Sequence, residues 1–94
     1  MSKPSIQLRL YVAGDAPNSH AARATLNTVL RTVGRDDIEV EVCDVFAHPE
    51  AATRDGVLVT PMLIRVQPEP RLVIVGNLGD GSRLRGWLEL EQTG

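Results

Sequence analysis

Cys43 carries the single thiol of the chain, which rules out an internal disulfide, a paired-cysteine redox couple and a zinc knuckle built from this chain alone. A reactive lone thiol needs a neighbouring positive charge to lower its pKa. Cys43 sits instead among Val40, Val42 and Val45, the setting of a small buried hydrophobe. His20 and His48 are far apart in sequence and form no metal-ligand spacing; they read as an exposed first-turn residue and part of a helix-entry turn. Asp44 closes an apolar run and is expected to cap the turn that follows. Arg65 and Arg71 bracket a Pro-Glu-Pro turn, where charge protects a sheet edge from unwanted pairing. No nucleophile stands beside a base. The sequence therefore offers no catalytic, cofactor-binding or metal-binding residue, and it reads as a binding module, not an enzyme.

The elements that must position these residues follow from hydrophobic spacing. Ile6, Leu8, Leu10 and Val12 alternate with polar or amphipathic neighbours, the pattern of a half-buried strand. Gly14 breaks it. Asp15 is expected to cap a helix that tolerates Pro17 in its first turn. Ala22, Leu26, Val29, Leu30 and Val33 carry that helix at 3.6-residue spacing to a stop at Gly34. Ile38, Val40 and Val42 begin a second strand running to Val45, and a helix between two strands suggests a parallel crossover. A short helix is expected from Glu50 to about Asp55. Met62 to Val66 and Leu72 to Val75 form two strands around the turn at Pro68-Glu69-Pro70. Leu84 to Leu90 fits a helix and an alternating strand nearly equally, and Gly86 costs a helix interior about 1 kcal/mol relative to alanine. Helix is the choice, because Asp80 or Ser82 supplies a cap after two glycines.

Strand, helix, strand, short helix, strand, strand, helix is the thioredoxin-like α/β arrangement, βαβαββα, here as one domain over residues 1–94. A redox thioredoxin holds two cysteines at the start of the first helix, where the dipole and the close pair lower one thiol's pKa. That position holds Ala16, Pro17, Asn18 and Ser19. No thiolate forms there, and the Ser19 hydroxyl has no base beside it. Thr60-Pro61 precedes the third strand at the place of the fold's cis-proline, so Pro61 is expected to be cis. The scaffold is kept and its redox chemistry is lost.

Leu10-Tyr11-Val12-Ala13-Gly14 followed by Pro17-Asn18-Ser19 resembles the opening motif of the KaiB family of circadian-clock proteins. Asp44-Val45, Pro49, Asp55, Leu58, Thr60-Pro61, Leu63, Pro68, Pro70, Gly76 and Leu78 continue the match in register, over roughly Leu8 to Leu90. The stretch Gln67 to Arg71 is also similar to the KaiB-like sensory domain of the clock histidine kinase SasA. The resemblance implies a partner, the hexameric P-loop ATPase KaiC, for which family members compete with SasA. It also implies two accessible folds in some members: a tetrameric ground state and a monomeric thioredoxin-like state that differ in the second half of the chain. That alternative applies to the C-terminal half here, with monomer, dimer or homotetramer following from it.

Several basic positions of the family fall on Ala21, Ala24, Ala47, Gly56, Leu72 and Val73, and Asn77 replaces an acidic residue. Arg23, Arg65 and Arg71 remain as candidate partner-binding residues, with guanidinium geometry suited to carboxylates. The resemblance thus points to a KaiC-like ATPase as partner, with an adaptor role toward a histidine kinase or response regulator as the alternative. Composition narrows the rest. A net charge of −2 and three aromatics, Tyr11, Phe46 and Trp87, do not suit nucleic acid. No apolar run is long enough to suggest a membrane span, and a cytoplasmic protein is expected.

Overall fold

Ile6, Leu8, Leu10 and Val12 all point to one side of the first strand, β1 (Ile6–Val12), and are buried there. The computed structural model describes residues 4–90. After β1 come α1 (Pro17–Val33), β2 (Ile38–Asp44), α2 (Pro49–Arg54), β3 (Met62–Gln67), β4 (Leu72–Val75) and α3 (Ser82–Leu90). The four strands form one sheet in the order β2-β1-β3-β4. β1 and β2 are parallel, from Ile6 opposite Ile38 to Val12 opposite Asp44, as the intervening helix requires. β1–β3 and β3–β4 are antiparallel, with a register shift in β1 between Gln7 and Leu8. Order and type of every element match the sequence expectation, including the helical choice for residues 84–90.

The sheet buries both faces. On one, the β1 side chains pack with Ala22, Leu26 and Val29 of α1 and with Leu84 and Leu88 of α3. Trp87 lies against this cluster, half-buried. On the other, Tyr11, Cys43, Met62 and Ile64 pack with Ala52 of α2. Cys43 is buried and burial pushes its thiol pKa up, which agrees with its reading as a core residue.

Two boundary expectations are corrected. Asp15 does not cap α1: the N-cap is Ala16, without a side-chain hydrogen bond, and Pro17 begins the helix. Proline's preset φ and missing N–H suit that position without help from an Asp. β2 ends at Asp44 and not Val45, because the Asp44 carboxylate turns the chain by accepting the Phe46 N–H at 2.9 Å. The far end of α1 behaves as expected: Gly34 adopts φ 69° and donates its N–H to the Leu30 carbonyl at 3.1 Å. At α3, the Asp80 carboxylate accepts the Ser82 N–H at 2.9 Å.

Candidate functional site

Parallel β1 and β2 end side by side, and the register sets Met62 opposite both Tyr11 and Val75. One end of the sheet therefore gathers the β1–α1 loop, the β2–α2 loop, the start of β3 and the end of β4. This is where the chain carries Ala16, Pro17, Asn18 and Ser19 in place of a redox pair. Ser19 is 1% exposed, and its hydroxyl accepts the Ala13 N–H at 3.1 Å. It fastens the loop to the first turn of α1, a structural task. Asp44 ties the neighbouring loop to the same place, with Oδ1 3.4 Å from the Gly14 nitrogen. Pro61 is buried, its peptide bond with Thr60 is cis, and its carbonyl accepts the Gly76 N–H at 2.9 Å.

Around this polar-stitched floor the side chains are apolar and uncovered. Phe46 is 77% exposed, Leu58 92%, Val59 50% and Val75 55%. Phe46 closes over Gly14, whose φ is 54° and where a Cβ would lie 3.7 Å from the ring. Residues 13–18, 44–48, 56–62 and 75–77 include two aspartates and no lysine or arginine. Single exposed apolar residues are ordinary, but four large ones sharing one end of a sheet mark an interaction surface. Sequence reasoning missed this surface. Leu58 and Val59 read as the lead-in to a strand, and only the positions of Met62 and Val75 in the register show that four loops converge there.

The three arginines singled out in the sequence are not brought together. Arg23 lies on α1 beside an apolar groove of ≈ 280 Å³ that it shares with Leu26, Leu30, Val40 and Val42. Arg71 serves the opposite face of the sheet, donating from Nη2 to the Asp55 carbonyl at 2.7 Å. Arg65 departs from the expected solvated charge at the sheet edge: it is 5% exposed, stands opposite Leu8 in the ladder and donates from Nη2 to the Pro70 carbonyl at 3.0 Å, bracing the hairpin turn.

A polar network that the sequence did not announce lies beneath α2. Arg9 pairs through Nε with Glu41 and through Nη1 with Asp55, both at 2.7 Å. The Tyr11 hydroxyl donates to the same Asp55 oxygen at 2.5 Å, with the Ala51 carbonyl 3.1 Å away. Burial, reinforced by Asp55, pushes the Tyr11 pKa up to about 12. Burial also works against the Asp55 charge, but the bonds from Tyr11 and Arg9 outweigh it and hold the carboxyl below its ordinary range. This network fixes α2 to the sheet; its partners are all internal. Among the described residues no group of three or more His, Cys, Asp or Glu side chains is placed to hold a metal ion, and no helix is long and apolar enough to cross a membrane.

Comparison with known proteins bears on this geometry. The solution structure of the N-terminal domain of Synechococcus elongatus SasA superposes with a TM-score of 0.75 at 25% identity, over 94% of this chain and 82% of that one. Chloroplastic thioredoxin z superposes with a TM-score of 0.81 over 97% of this chain and 81% of that one, at 14% identity, a likeness of fold alone. The circadian clock oscillator protein KaiB of Acaryochloris marina is 42% identical over 83 residues, covering 88% of this chain and 80% of the relative. KaiB of Parasynechococcus marenigrum is 41% identical over the same length and shares. A sequence profile of the KaiB domain matches residues 9–90, from Arg9 of the polar network to the last residue of α3. With a thioredoxin-like sheet, a first helix that opens without cysteine and this match across nearly all its length, the chain belongs to the KaiB family.

Proposed function

We propose that this chain is a non-catalytic regulatory protein that docks a KaiC-like P-loop ATPase through the apolar end of its sheet, in a clock, timer or stress-response system of the cytoplasm. The observation that carries the reading is the coincidence at one end of the molecule of a thiol-free redox position and four uncovered apolar side chains, Phe46, Leu58, Val59 and Val75. An enzyme that had lost its nucleophile would have no reason to keep an apolar rim around it, whereas a docking surface needs an apolar centre. Family membership supplies the partner class, since relatives of about 40% identity are circadian clock oscillator proteins.

A second reading, an adaptor or input module for a SasA-like histidine kinase or its response regulator, is favoured by the likeness to the SasA N-terminal domain. Size-exclusion chromatography with light scattering separates the two. The free chain is expected at the mass of a 10.2 kDa monomer and is expected to join the peak of a KaiC-like ATPase from the same genome. Joining that ATPase only slowly from a tetramer would support the partner and assign fold switching to this chain. Failure to join in any state would overturn the ATPase reading in favour of the kinase.

A further inference from the structure

Val42 lies inside β2, on the face of the sheet that α1 packs against, and yet it is 44% exposed. β2 is an edge strand, and among the described residues no strand pairs with its outer side. Strand alternation puts Val40 and Val42 on one face and Glu39 and Glu41 on the other. Glu41 is engaged there by Arg9 at 2.7 Å, while Val40 packs against the core cluster beneath α1. On the helix, Arg23, Leu26, Asn27 and Leu30 recur at intervals of three and four residues, so they form one stripe along α1.

The helix stripe and the two valines bound the groove of ≈ 280 Å³ described above. Leu26, 2% exposed, forms its floor, and Leu30, Val40 and Val42 its aliphatic walls. Arg23 is the single ionisable residue of the lining and Asn27 the single amide; both are exposed. Among the described residues Arg23 takes part in no ion pair, and no carboxylate lines the groove. Arg23 and Leu30, seven residues apart, span about 10 Å of helix. At ~30 Å³ for a group the size of a water molecule, the volume holds about nine such groups. An unbranched acid of about eight carbons has that length and bulk.

We propose that the groove between α1 and the β2 edge is a binding site for a medium-chain aliphatic carboxylate. The tail lies along Leu26, Leu30, Val40 and Val42, and the carboxylate takes the Arg23 guanidinium and the Asn27 amide. Charge complementarity selects this occupant: arginine bonds a carboxylate bidentately, and the amide N–H groups donate to the same oxygens. A cationic amphiphile meets repulsion from Arg23, and a neutral one leaves the guanidinium without a partner. A small inorganic anion gains nothing from the aliphatic walls. The groove shares no residue with Phe46, Leu58, Val59 and Val75, so this site stands whether or not the apolar end docks an ATPase.

The test is a titration of the nitrogen-15-labelled chain, followed by amide chemical shifts, with a series of acids from acetate to octanoate at concentrations that form no micelles. Saturable shifts are expected at Asn27, Leu30, Val40 and Val42. Affinity is expected to rise about twofold per methylene for a half-buried tail and to fall as salt rises. Octanol, with the same tail and no charge, is expected to bind roughly fivefold more weakly. Arg23→Gln is expected to bring octanoate down to the level of octanol, and Arg23→Lys to restore part of the difference. Arg31→Gln, at an exposed arginine of α1 that does not line the groove, should change nothing. Unchanged denaturation midpoints, read from Trp87 fluorescence, exclude loss of fold in these surface variants. Absence of saturable shifts, shifts centred on Phe46 and Leu58, equal affinity for acetate and octanoate, or no loss in Arg23→Gln overturns the proposal. So does binding of an extended, C-terminally amidated valine-rich peptide at β2 without binding of octanoate, which would assign the groove to a strand-adding protein segment.

Discussion

Asp55 takes bonds from Arg9 and Tyr11 on its carboxylate and from Arg71 on its carbonyl, joining β1, α2 and the start of β4 at one residue. Asp55→Asn should cost about 2 kcal/mol, since it leaves a partly buried guanidinium short of a partner; urea denaturation measures it. Tyr11 is the only tyrosine, so its ionisation can be followed by ultraviolet absorbance without interference. A midpoint of about 12 is expected, moving down in Asp55→Asn but staying above the ordinary ~10 because burial remains. The two groups act at opposite ends of the pH scale. The lowered Asp55 pKa stabilises the fold above the unfolded value of ~3.9, and that contribution is lost as pH falls through the folded value. The raised Tyr11 pKa stabilises the fold below ~10, and that contribution is lost as pH rises toward about 12. At this scale the sequence was legible only where one residue's neighbours in the chain are also its neighbours in space. Cys43 among valines was readable as core. Arg65 was not, because its burial depends on Leu8 across the ladder and on the Pro70 carbonyl across the turn.

The helix α3 shows how an element is decided. Its spacing fits helix and strand alike, and Gly86 argues against helix locally. The structure settles on helix because Leu84 and Leu88, four residues apart, both enter the core against α1. The two glycines around it differ sharply. Gly81 has φ 82°, and a Cβ there would come 2.6 Å from Val29 Cγ2. Gly81→Ala should therefore destabilise by about 2 kcal/mol, from strain and overpacking together. Gly86 has nothing within 4 Å of a Cβ and sits inside the helix, so Gly86→Ala should stabilise by about 0.5–1 kcal/mol. Chemical denaturation of the pair gives shifts of opposite sign; shifts of the same sign would contradict the packing described here. A further tie acts on this element: Arg35 bonds Asp37 through Nε and Nη2 and donates from Nη1 to the Leu88 carbonyl at 2.9 Å. Arg35 holds the Asp37 carboxyl down at about 2, so this tie persists through ordinary acid.

For the molecule as a whole, the separation of docking from folding is the testable consequence. Phe46 and Leu58 are among the most exposed side chains of the apolar end, so Phe46→Ser with Leu58→Ser should change stability by no more than about 0.5 kcal/mol. The same double variant should fail to co-elute with the KaiC-like ATPase. A variant that still co-elutes would move the contact elsewhere on the surface. The sequence by itself determined the element order, the alternating core of β1, the loss of the redox cysteines and the KaiB resemblance. These depend on residue types and on spacings of two, three or four along the chain, which local geometry translates directly. Only the tertiary structure decided which side chains meet. It gathered Phe46, Leu58, Val59 and Val75 at one end of the sheet, drew Arg9, Tyr11 and Asp55 into one network and turned Arg65 inward. Each of those groupings joins residues distant in sequence, and their proximity follows from strand register and helix packing, quantities that no local pattern carries.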